Sequence, residues 1–514
     1  MRLLFFTFLI VFSINLFSFS LSGQNLDTNK LDEYIKRSKD QWNIPGLAIA
    51  IVKDGEIIFS KGYGVREFGK PDKVDDESLF AIASNTKAFT ASALSILVDE
   101  KKIDWDDPVQ KYLPYFKLYD PYVSANMTIR DLLCHRSGLK TFSGDLLWYG
   151  SNYSRKEVIS RAQFLKPVYG FRSHYGYSNI MFLTAGEIIP AITGQSWDEF
   201  LAERFFKPLE MVNTNTSIKD FKKNGNIAMP HHVGFDENPL VIPYVNWDNI
   251  GPAGAINSNV KEMTNWLIMN LNNGVYKEKQ ILSEENIRQM RTVQTPQFIS
   301  KWSETTFPTK HYSGYGLGWE LFDYHGRKIV NHGGGADGMI SKVVLVPEEK
   351  FGFVILTNSI NYLPSALSYY ILDSYFGKEE NDWSSLYFGF YKDGAKREKT
   401  AKEKKEKARL KNTSPSLPLN AYVGNYVSKL YGEAKVELKN DKLMLFFIPT
   451  PIFVGELTHY QINTFGIRLK NQPGLPEGNV NFTIGQTGKV EKMLVDIPNP
   501  DFDFTELDFI KVNE

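Results

Sequence analysis

The chain opens with Arg2 and an almost unbroken apolar run to about Leu16, followed by small residues. That grammar predicts a secretory signal over residues 1–23, cut near Ser22 or Gly23. The run is slightly short for the ~20 residues of a membrane span, which leaves an uncleaved anchor as the alternative. Beyond it the pattern becomes that of a folded chain. LAIAIVKDGEIIFSKGYG (47–64) reads as two strands joined across an Asp54-Gly55 turn. Residues 84–99 contain no Gly or Pro and place Phe89, Ala93, Ile96 and Leu97 on one helical face. Residues 181–206 read as two helices parted near Gly194, and 258–274 as a helix ending at Gly274. KVVLVP and FGFVILTN (342–358) read as a strand pair, and 363–377 as a closing amphipathic helix. Strands at both ends with helices between predict an α/β (α+β) domain over 24–380, a mixed sheet with a helical insert.

The pattern then changes twice. Residues 392–411 are dominated by Lys with interspersed Glu and predict a solvated linker or exposed helix within a linker over 381–416. From Leu417 the text is all β: a hairpin around Asn440-Asp441, another across 479–495, and a strand over 502–512. This predicts a small all-β domain over 417–514, a barrel or curled sheet.

Composition narrows the function. The 514 residues are 42% hydrophobic, enough for large cores and for roughly three domains by length. Lys+Arg and Asp+Glu number 59 each, so no whole-chain field draws in nucleic acid. The Lys-rich stretch lacks interleaved aromatics, which argues against single-strand binding. Cys134 is the single cysteine, so an exported chain has no internal disulfide. It stands beside Leu132 and Leu133 and reads as a packed thiol. There is no Walker A loop, no HExxH, no Cys-rich zinc pattern and no G-x-S-x-G elbow. His231-His232 lacks a partner pattern for a metal, and GYGLGWE (314–320) has the wrong spacing for a dinucleotide. No cofactor is expected.

Three Ser-x-x-Lys tetrads remain: Ser84–Lys87, Ser137–Lys140 and Ser258–Lys261. A lysine activates a serine only if the two share a face, as residues three apart do on a helix. Ser84 begins the unbroken helical stretch, where free N–H groups also favour negative charge. Ser137 precedes Gly138 in a turn-like HRSGLK, and Ser258 is explained as a helix cap.

A nucleophile also needs a proton acceptor and an oxyanion site. The chain carries Ser84-Asn-Thr-Lys87, Tyr177-Ser-Asn179 and His332-Gly-Gly334, in that order. Tyr244-Val-Asn246, His174-Tyr-Gly176 and His232-Val-Gly234 are decoys for the later two elements. Flanking text separates them. YGYSNIMFLTAGEIIPAITGQSWDEF, VNHGGGADGM, LLCHRSGL and GPAGAINSNVKEM, spread over about 40–375, resemble the serine β-lactamase and penicillin-binding-protein superfamily. Within it the chain is similar to the class C-like branch, with its D-aminopeptidases, D-alanyl carboxypeptidases and esterases. It departs from that pattern at His332, where a Lys-Thr-Gly lysine is usual, and at Cys134, where Thr is usual.

The resemblance implies the β-lactamase/transpeptidase-like fold, with an antiparallel sheet and a helical subdomain, and a serine hydrolase acting through a Ser84 acyl-enzyme, which the leader would send to the periplasm or outside the cell. Its substrates would be D-amino-acid or cell-wall peptides, peptidoglycan fragments included, or β-lactams or esters. Lys87 and Tyr177 would share the serine proton, with the base undecided between them. Asn179 would orient the substrate amide and Lys87. His332 would bond Tyr177 or a substrate carboxylate, and the oxyanion would meet the N–H groups of Ser84 and Gly335, beside Gly334. Loops 141–172, with Trp148, Tyr149 and Tyr153, and 230–250, with Tyr244 and Trp247, would set the substrate. The alternative is a penicillin-binding sensor that acylates without turnover. The last 100 residues resemble, more distantly, the lipocalin-like domain that follows some of these enzymes.

Overall fold

Asp54 and Gly55 both take positive φ, 51° and 84°. That is the two-residue type I′ geometry Asp-Gly accommodates, and it pairs strand Gly46–Lys53 with Glu56–Gly64. The computed structural model describes residues 26–223, 225–378, 381–470 and 472–512; the expected leader lies outside them. Strand Gly46–Lys53 is buried on every residue to Val52, as a continuous apolar run demands of a strand covered on both faces. It sits inside an eight-stranded sheet that is antiparallel throughout, not the mixed sheet the strand and helix order suggests. From one edge the strands run Glu56–Gly64, Gly46–Lys53, Phe351–Thr357, Met339–Val346, Arg327–Ala336, Glu320–Tyr324, Ser313–Tyr315 and Thr295–Pro296. Leu47 faces Thr357 in register, so the two ends of the domain close on each other.

The alternation of a strand divides the core in two. Leu47, Ile49 and Ile51 enter a layer with Leu31 and Ile35 of helix Thr28–Gln41 and Leu367 and Ile371 of helix Leu363–Tyr375. Ala48, Ala50 and Val52 face the larger layer, where helices Thr86–Asp99, Asn179–Thr193 and Val260–Leu271 lie. The functional side chains belong to that second layer.

Residues 424–511 close into an eight-stranded barrel, each strand paired with the next in sequence and the last, Asp508–Lys511, with the first, Gly424–Ser428. Asn440 and Asp441 both have positive φ in the hairpin the sequence marks. Tyr426, Tyr431, Phe447, Phe465, Phe482 and Phe509 are buried in it.

Two further expectations are corrected and one alternative is chosen. Of the linker or exposed helix read over 392–411, the structure shows the helix, Trp383–Ala408. Asp382 caps it, its Lys, Glu and Ala are good helix formers, and its first turns bury Trp383 and Ser384 against the domain. Its far end meets the barrel, where Arg409 Nε donates to the Tyr460 carbonyl at 2.8 Å. The strand over 502–512 is only Asp508–Lys511. Asp503 accepts from the Thr505 amide and turns 504–506 into a 3₁₀ turn. Helix Val260–Leu271 is capped by Asn259, not by Ser258.

Candidate active site

The chain reaches Ser84 under constraint. Strand Phe80–Ala81 is pinned to Asn257–Ser258 and the Ile82 amide to the Ile256 carbonyl at 2.9 Å. Ala83 is then held at φ 47°, buried, a left-handed conformation costing an alanine about 1–3 kcal/mol. Ser84 sits in the 3₁₀ turn Ala83–Asn85, and the α-helix starts at Thr86, two residues later than the pattern suggests. The turn keeps the spacing that matters: Lys87 Nζ lies 3.0 Å from Ser84 Oγ.

Lys87 is completely buried. Its Nζ has two other partners, Asn179 Oδ1 at 2.7 Å and the Ala253 carbonyl at 2.9 Å. Both are acceptors. As an ammonium Nζ donates to all three; as a neutral amine, with two N–H bonds given to Asn179 and Ala253, it turns its lone pair to the Ser84 hydroxyl. Burial pulls the Lys87 pKa down to about 7, with the charge of Asp145 holding it up. Asp145 is reached through Asn179, whose Nδ2 donates to Asp145 Oδ2 at 2.7 Å; Trp148 Nε1 donates to Oδ1 at 2.9 Å. Burial lifts the Asp145 carboxyl to about 7, against these two donors and the pull of Lys87.

Tyr177 stands over Lys87, with Nζ 4.7 Å from the ring centre. Its backbone is clamped, the amide donating to Thr141 Oγ1 at 3.1 Å and the carbonyl accepting from the Phe142 amide at 2.8 Å. His135 stacks on the ring at 4.1 Å. Burial raises the phenol pKa, and a hydrogen bond with Ser84 only partly offsets this, so Tyr177 is a protonated phenol at neutral pH.

His332 does not pair with Tyr177, whose ring centre is 6.3 Å away. Its Nε2 meets the Tyr315 hydroxyl at 2.8 Å and its Nδ1 the Gly333 carbonyl at 2.6 Å. The carbonyl can only accept, which puts the proton on Nδ1 and makes Tyr315 the donor to Nε2. Burial lowers the His332 pKa to about 4. It is therefore neutral, with both nitrogens spent inside the protein instead of on Tyr177 or a substrate carboxylate.

The strand beyond His332 presses onto the nucleophile turn. A Cβ on Gly334 would stand 2.2 Å from the Ile82 carbonyl oxygen, 2.3 Å from Ser341 Oγ and 3.0 Å from the Ser84 amide, so only glycine fits. Gly335, next along, is exposed. This brings together Ser84, Lys87, Tyr177, Asn179, Gly334 and Gly335, with His332 at the rear.

The rival motifs lie apart. Ser137 Oγ accepts from the Leu139 amide, while Lys140 pairs with Asp503 at 2.7 Å. Ser258 bonds Thr214, and Lys261 pairs with Glu77 at 2.6 Å. Tyr244 donates to the Ala228 carbonyl, and His174 stacks on Tyr169. The ring nitrogens of His231 are taken by the Phe68 amide and the Asn358 carbonyl. Cys134 is buried, its thiol pushed up to about 12.

Sequence reasoning missed Asp145, Tyr315, the Ala253 carbonyl and Glu506. Tyr315 lay inside the glycine-rich stretch set aside for its spacing, and a backbone carbonyl leaves no residue signal. Trp148 and Tyr149, expected among the substrate loops, are buried instead. They pack against Phe502 and Phe453 of the barrel domain. That domain also grips the loop before Asp145: Glu506 accepts from the Ser143 hydroxyl and, at 2.8 Å, from the Gly144 amide.

Comparisons with known proteins agree with this fold. The family model described as "Beta-lactamase" matches residues 31–371, and a domain of unknown function, DUF3471, matches 408–511. Unguisins hydrolase ungD' of Aspergillus campestris is 29% identical over 455 residues, covering 83% of this chain and 80% of that one. The octameric penicillin-binding protein homologue from Pyrococcus abyssi superposes with a TM-score of 0.62 at 22% identity, over 94% of this chain and all of that one. A D-stereospecific amidohydrolase from Streptomyces sp. superposes with a TM-score of 0.52 at 22% identity, over 65% and 94% respectively.

Proposed function

The chain belongs to the beta-lactamase family, and on that premise we propose that it is an exported serine hydrolase working through a Ser84 acyl-enzyme on amide or ester bonds. One observation carries the reading: the Lys87 amine is desolvated, donates to two fixed acceptors and meets the Ser84 hydroxyl at 3.0 Å. The neutral form of Lys87, about half of it at pH 7, takes the Ser84 proton as Oγ attacks the substrate carbonyl. The new ammonium is stabilised by Asp145 through Asn179. Tyr177 is not the base, because burial keeps its proton on. It is the acid, giving that proton to the leaving nitrogen or oxygen as the bond to the carbonyl carbon breaks, and regaining one from the Lys87 ammonium. The Ser84 and Gly335 amides receive the oxyanion. Water then attacks the Ser84 ester, Lys87 taking its proton and passing it to Ser84 Oγ as the ester bond breaks.

The unguisins hydrolase and the D-stereospecific amidohydrolase among its likenesses support peptides and amides containing D-amino acids as the substrate class. The leader grammar supports export. Incubating wild type and Ser84→Ala with a chromogenic cephalosporin, p-nitrophenyl esters and D- or L-amino-acid p-nitroanilides, with intact-mass readout, tests this. The wild type should turn over at least one compound and carry its acyl mass, and Ser84→Ala should carry none. Acylation of Ser84→Ala would sink the assignment. A stable stoichiometric penicillin adduct without turnover would make the chain a sensor of the same fold.

A further inference from the structure

The segment LLCHRSGL holds a residue that the chemistry of Ser84 leaves unused, His135. It is completely buried, and its backbone is held at φ 58°, a left-handed conformation that a histidine adopts only at a cost. Such strain persists where the surroundings over-determine it, and here the surroundings are Tyr177 and its neighbours. The His135 carbonyl accepts from the Gly176 amide at 2.8 Å. Its Nδ1 accepts from the Ser178 amide at 3.0 Å. Between those two anchored residues the Tyr177 ring lies on the imidazole, the centres 4.1 Å apart and the planes 30° from parallel. One residue thus holds the neighbour before the phenol, the neighbour after it, and the ring itself.

The state of the imidazole follows from these contacts. An amide N–H only donates, so Nδ1 is bare and the proton is on Nε2. Burial, and after it the charge of Lys87, keeps the ring neutral, with its pKa well below the usual histidine value. Nε2 is itself buried and donates to no acceptor among the described residues. The rings of Tyr315, Phe182 and Tyr175 surround the imidazole, with centres 4.5, 5.1 and 5.6 Å from its own. A phenylalanine would suit that box and spare the unmet donor, but it would orphan the buried Ser178 amide. An asparagine would accept from that amide but offer the phenol no face. Imidazole does both.

What is held still in this way is a hydroxyl. The clamps on the Tyr177 amide and carbonyl fix its backbone and leave its side-chain torsions free. His135 is the nearest of the rings recorded against the phenol; Phe142 meets it edge-to-face at 5.3 Å and His332 stands 6.3 Å away. The hydroxyl is at the far end of the side chain, so a small turn about the Cα–Cβ bond swings it through the widest arc. A displacement of about 1 Å at a reacting group costs about 10² in rate.

We propose that His135 is the positioning residue for Tyr177, setting its hydroxyl for delivery of the proton to the leaving group while exchanging no proton itself. This deepens the Ser84 reading and rests on it, and the experiment separates the two.

The signature lies in the leaving group. A p-nitroanilide leaves through a nitrogen that must gain a proton as the C–N bond breaks, whereas p-nitrophenolate departs as a stable anion and needs none. His135→Asn keeps an acceptor for the Ser178 amide and removes the stacked ring; His135→Phe keeps a ring and removes the acceptor. Wild type, both variants and Tyr177→Phe are assayed on D-alanine p-nitroanilide and p-nitrophenyl acetate. Each is also labelled with a fluorophosphonate, which acylates an activated serine in effect by phosphonylating it with loss of fluoride. His135→Asn should lose about 10² in kcat/KM on the anilide and at least tenfold less on the ester, the same split as Tyr177→Phe. His135→Phe, which still packs on the phenol, should show a smaller split and a lower unfolding midpoint in urea. Equal losses on anilide and ester in His135→Asn make the residue merely structural, and undiminished anilide turnover makes it a bystander; either overturns the proposal. A split in His135→Asn that Tyr177→Phe lacks overturns it too, as does a wild type that cleaves the ester and no anilide. Absence of labelling in the wild type, or labelling that survives Ser84→Ala, overturns the Ser84 reading instead.

Discussion

Asp145→Asn tests the electrostatics of the site most directly. The carboxylate reaches Lys87 through two hydrogen bonds of 2.7 Å and the Asn179 amide between them. The two charges are then about 6–7 Å apart, an attraction of about 2.5 kcal/mol at an effective dielectric of about 20, or between one and two pH units. Lys87 works as the neutral base, so kcat/KM rises with pH through its pKa of about 7. Asp145 itself ionises near 7, so its anion is only partly present on that limb and the full attraction is an upper bound. Removing it destabilises the ammonium and lowers that pKa, moving the acid limb to lower pH by up to about one to two units. At pH 6 the wild type should retain about a tenth of its plateau and the variant a clearly larger fraction of its own, lower plateau. The plateau falls because Trp148 Nε1 and Asn179 Nδ2 both donate to Asp145, and an asparagine has one acceptor for the two. The orphaned donor costs about 1–3 kcal/mol of stability. The assay is a pH profile of p-nitrophenyl ester hydrolysis from pH 4.5 to 9, with urea unfolding alongside. A limb that stays near 7, or that moves with Tyr177→Phe instead, refutes Lys87 as the base.

Glu506→Ala strips the acceptors from Ser143 and Gly144; it should cost about 1–3 kcal/mol in urea unfolding and lower kcat/KM, although Glu506 touches none of the reacting groups. Tyr315→Phe leaves His332 Nε2 without its donor and should cost about 1–2 kcal/mol, with kcat/KM down by less than about tenfold if His332 holds the strand and not the substrate. Gly334→Ala puts a methyl against the Ile82 carbonyl and Ser341, pushes the strand off the nucleophile, and should cost the factor of about 10²–10³ that follows loss of an oxyanion donor, seen in steady-state kinetics.

Local chemistry was legible where a single element enforces it. The Asp54-Gly55 and Asn440-Asp441 hairpins follow from turn residues that tolerate positive φ. Ser84 and Lys87 follow from helical spacing, because the 3₁₀ turn that replaces the first helical turn preserves their contact. What the sequence hid depends on partners far away in the chain. His332 is 17 residues from Tyr315 in sequence and meets it across the intervening strand Glu320–Tyr324, so nothing in either motif names the pair. The Lys-rich stretch was readable as solvated, but its anchoring turn was not, since Trp383 is held by Asp373 of the preceding helix. Trp148 and Tyr149 looked like substrate-facing aromatics because nothing in one loop's sequence says that a second domain covers it.

That cover changes what the barrel domain is for. A stabilising appendage would need only an apolar footprint, and Phe453 and Phe502 against Trp148 and Tyr149 provide one. Yet the same contact includes a charge placed for another purpose. Glu506 is half of the grip on residues 143–144, one residue before Asp145, and its own charge raises the Asp145 pKa. Asp501 acts in the same sense on Asp337. Both barrel carboxylates thus bear on buried acids of the catalytic domain, one of them behind Lys87. The balance between a neutral and a charged Lys87 depends on the Asp145 charge, so the barrel's docking reaches the base through two hydrogen bonds and an amide. A domain that merely stabilised the fold could be exchanged for any apolar cover; one that sets this balance cannot lose Glu506 without changing the catalysis.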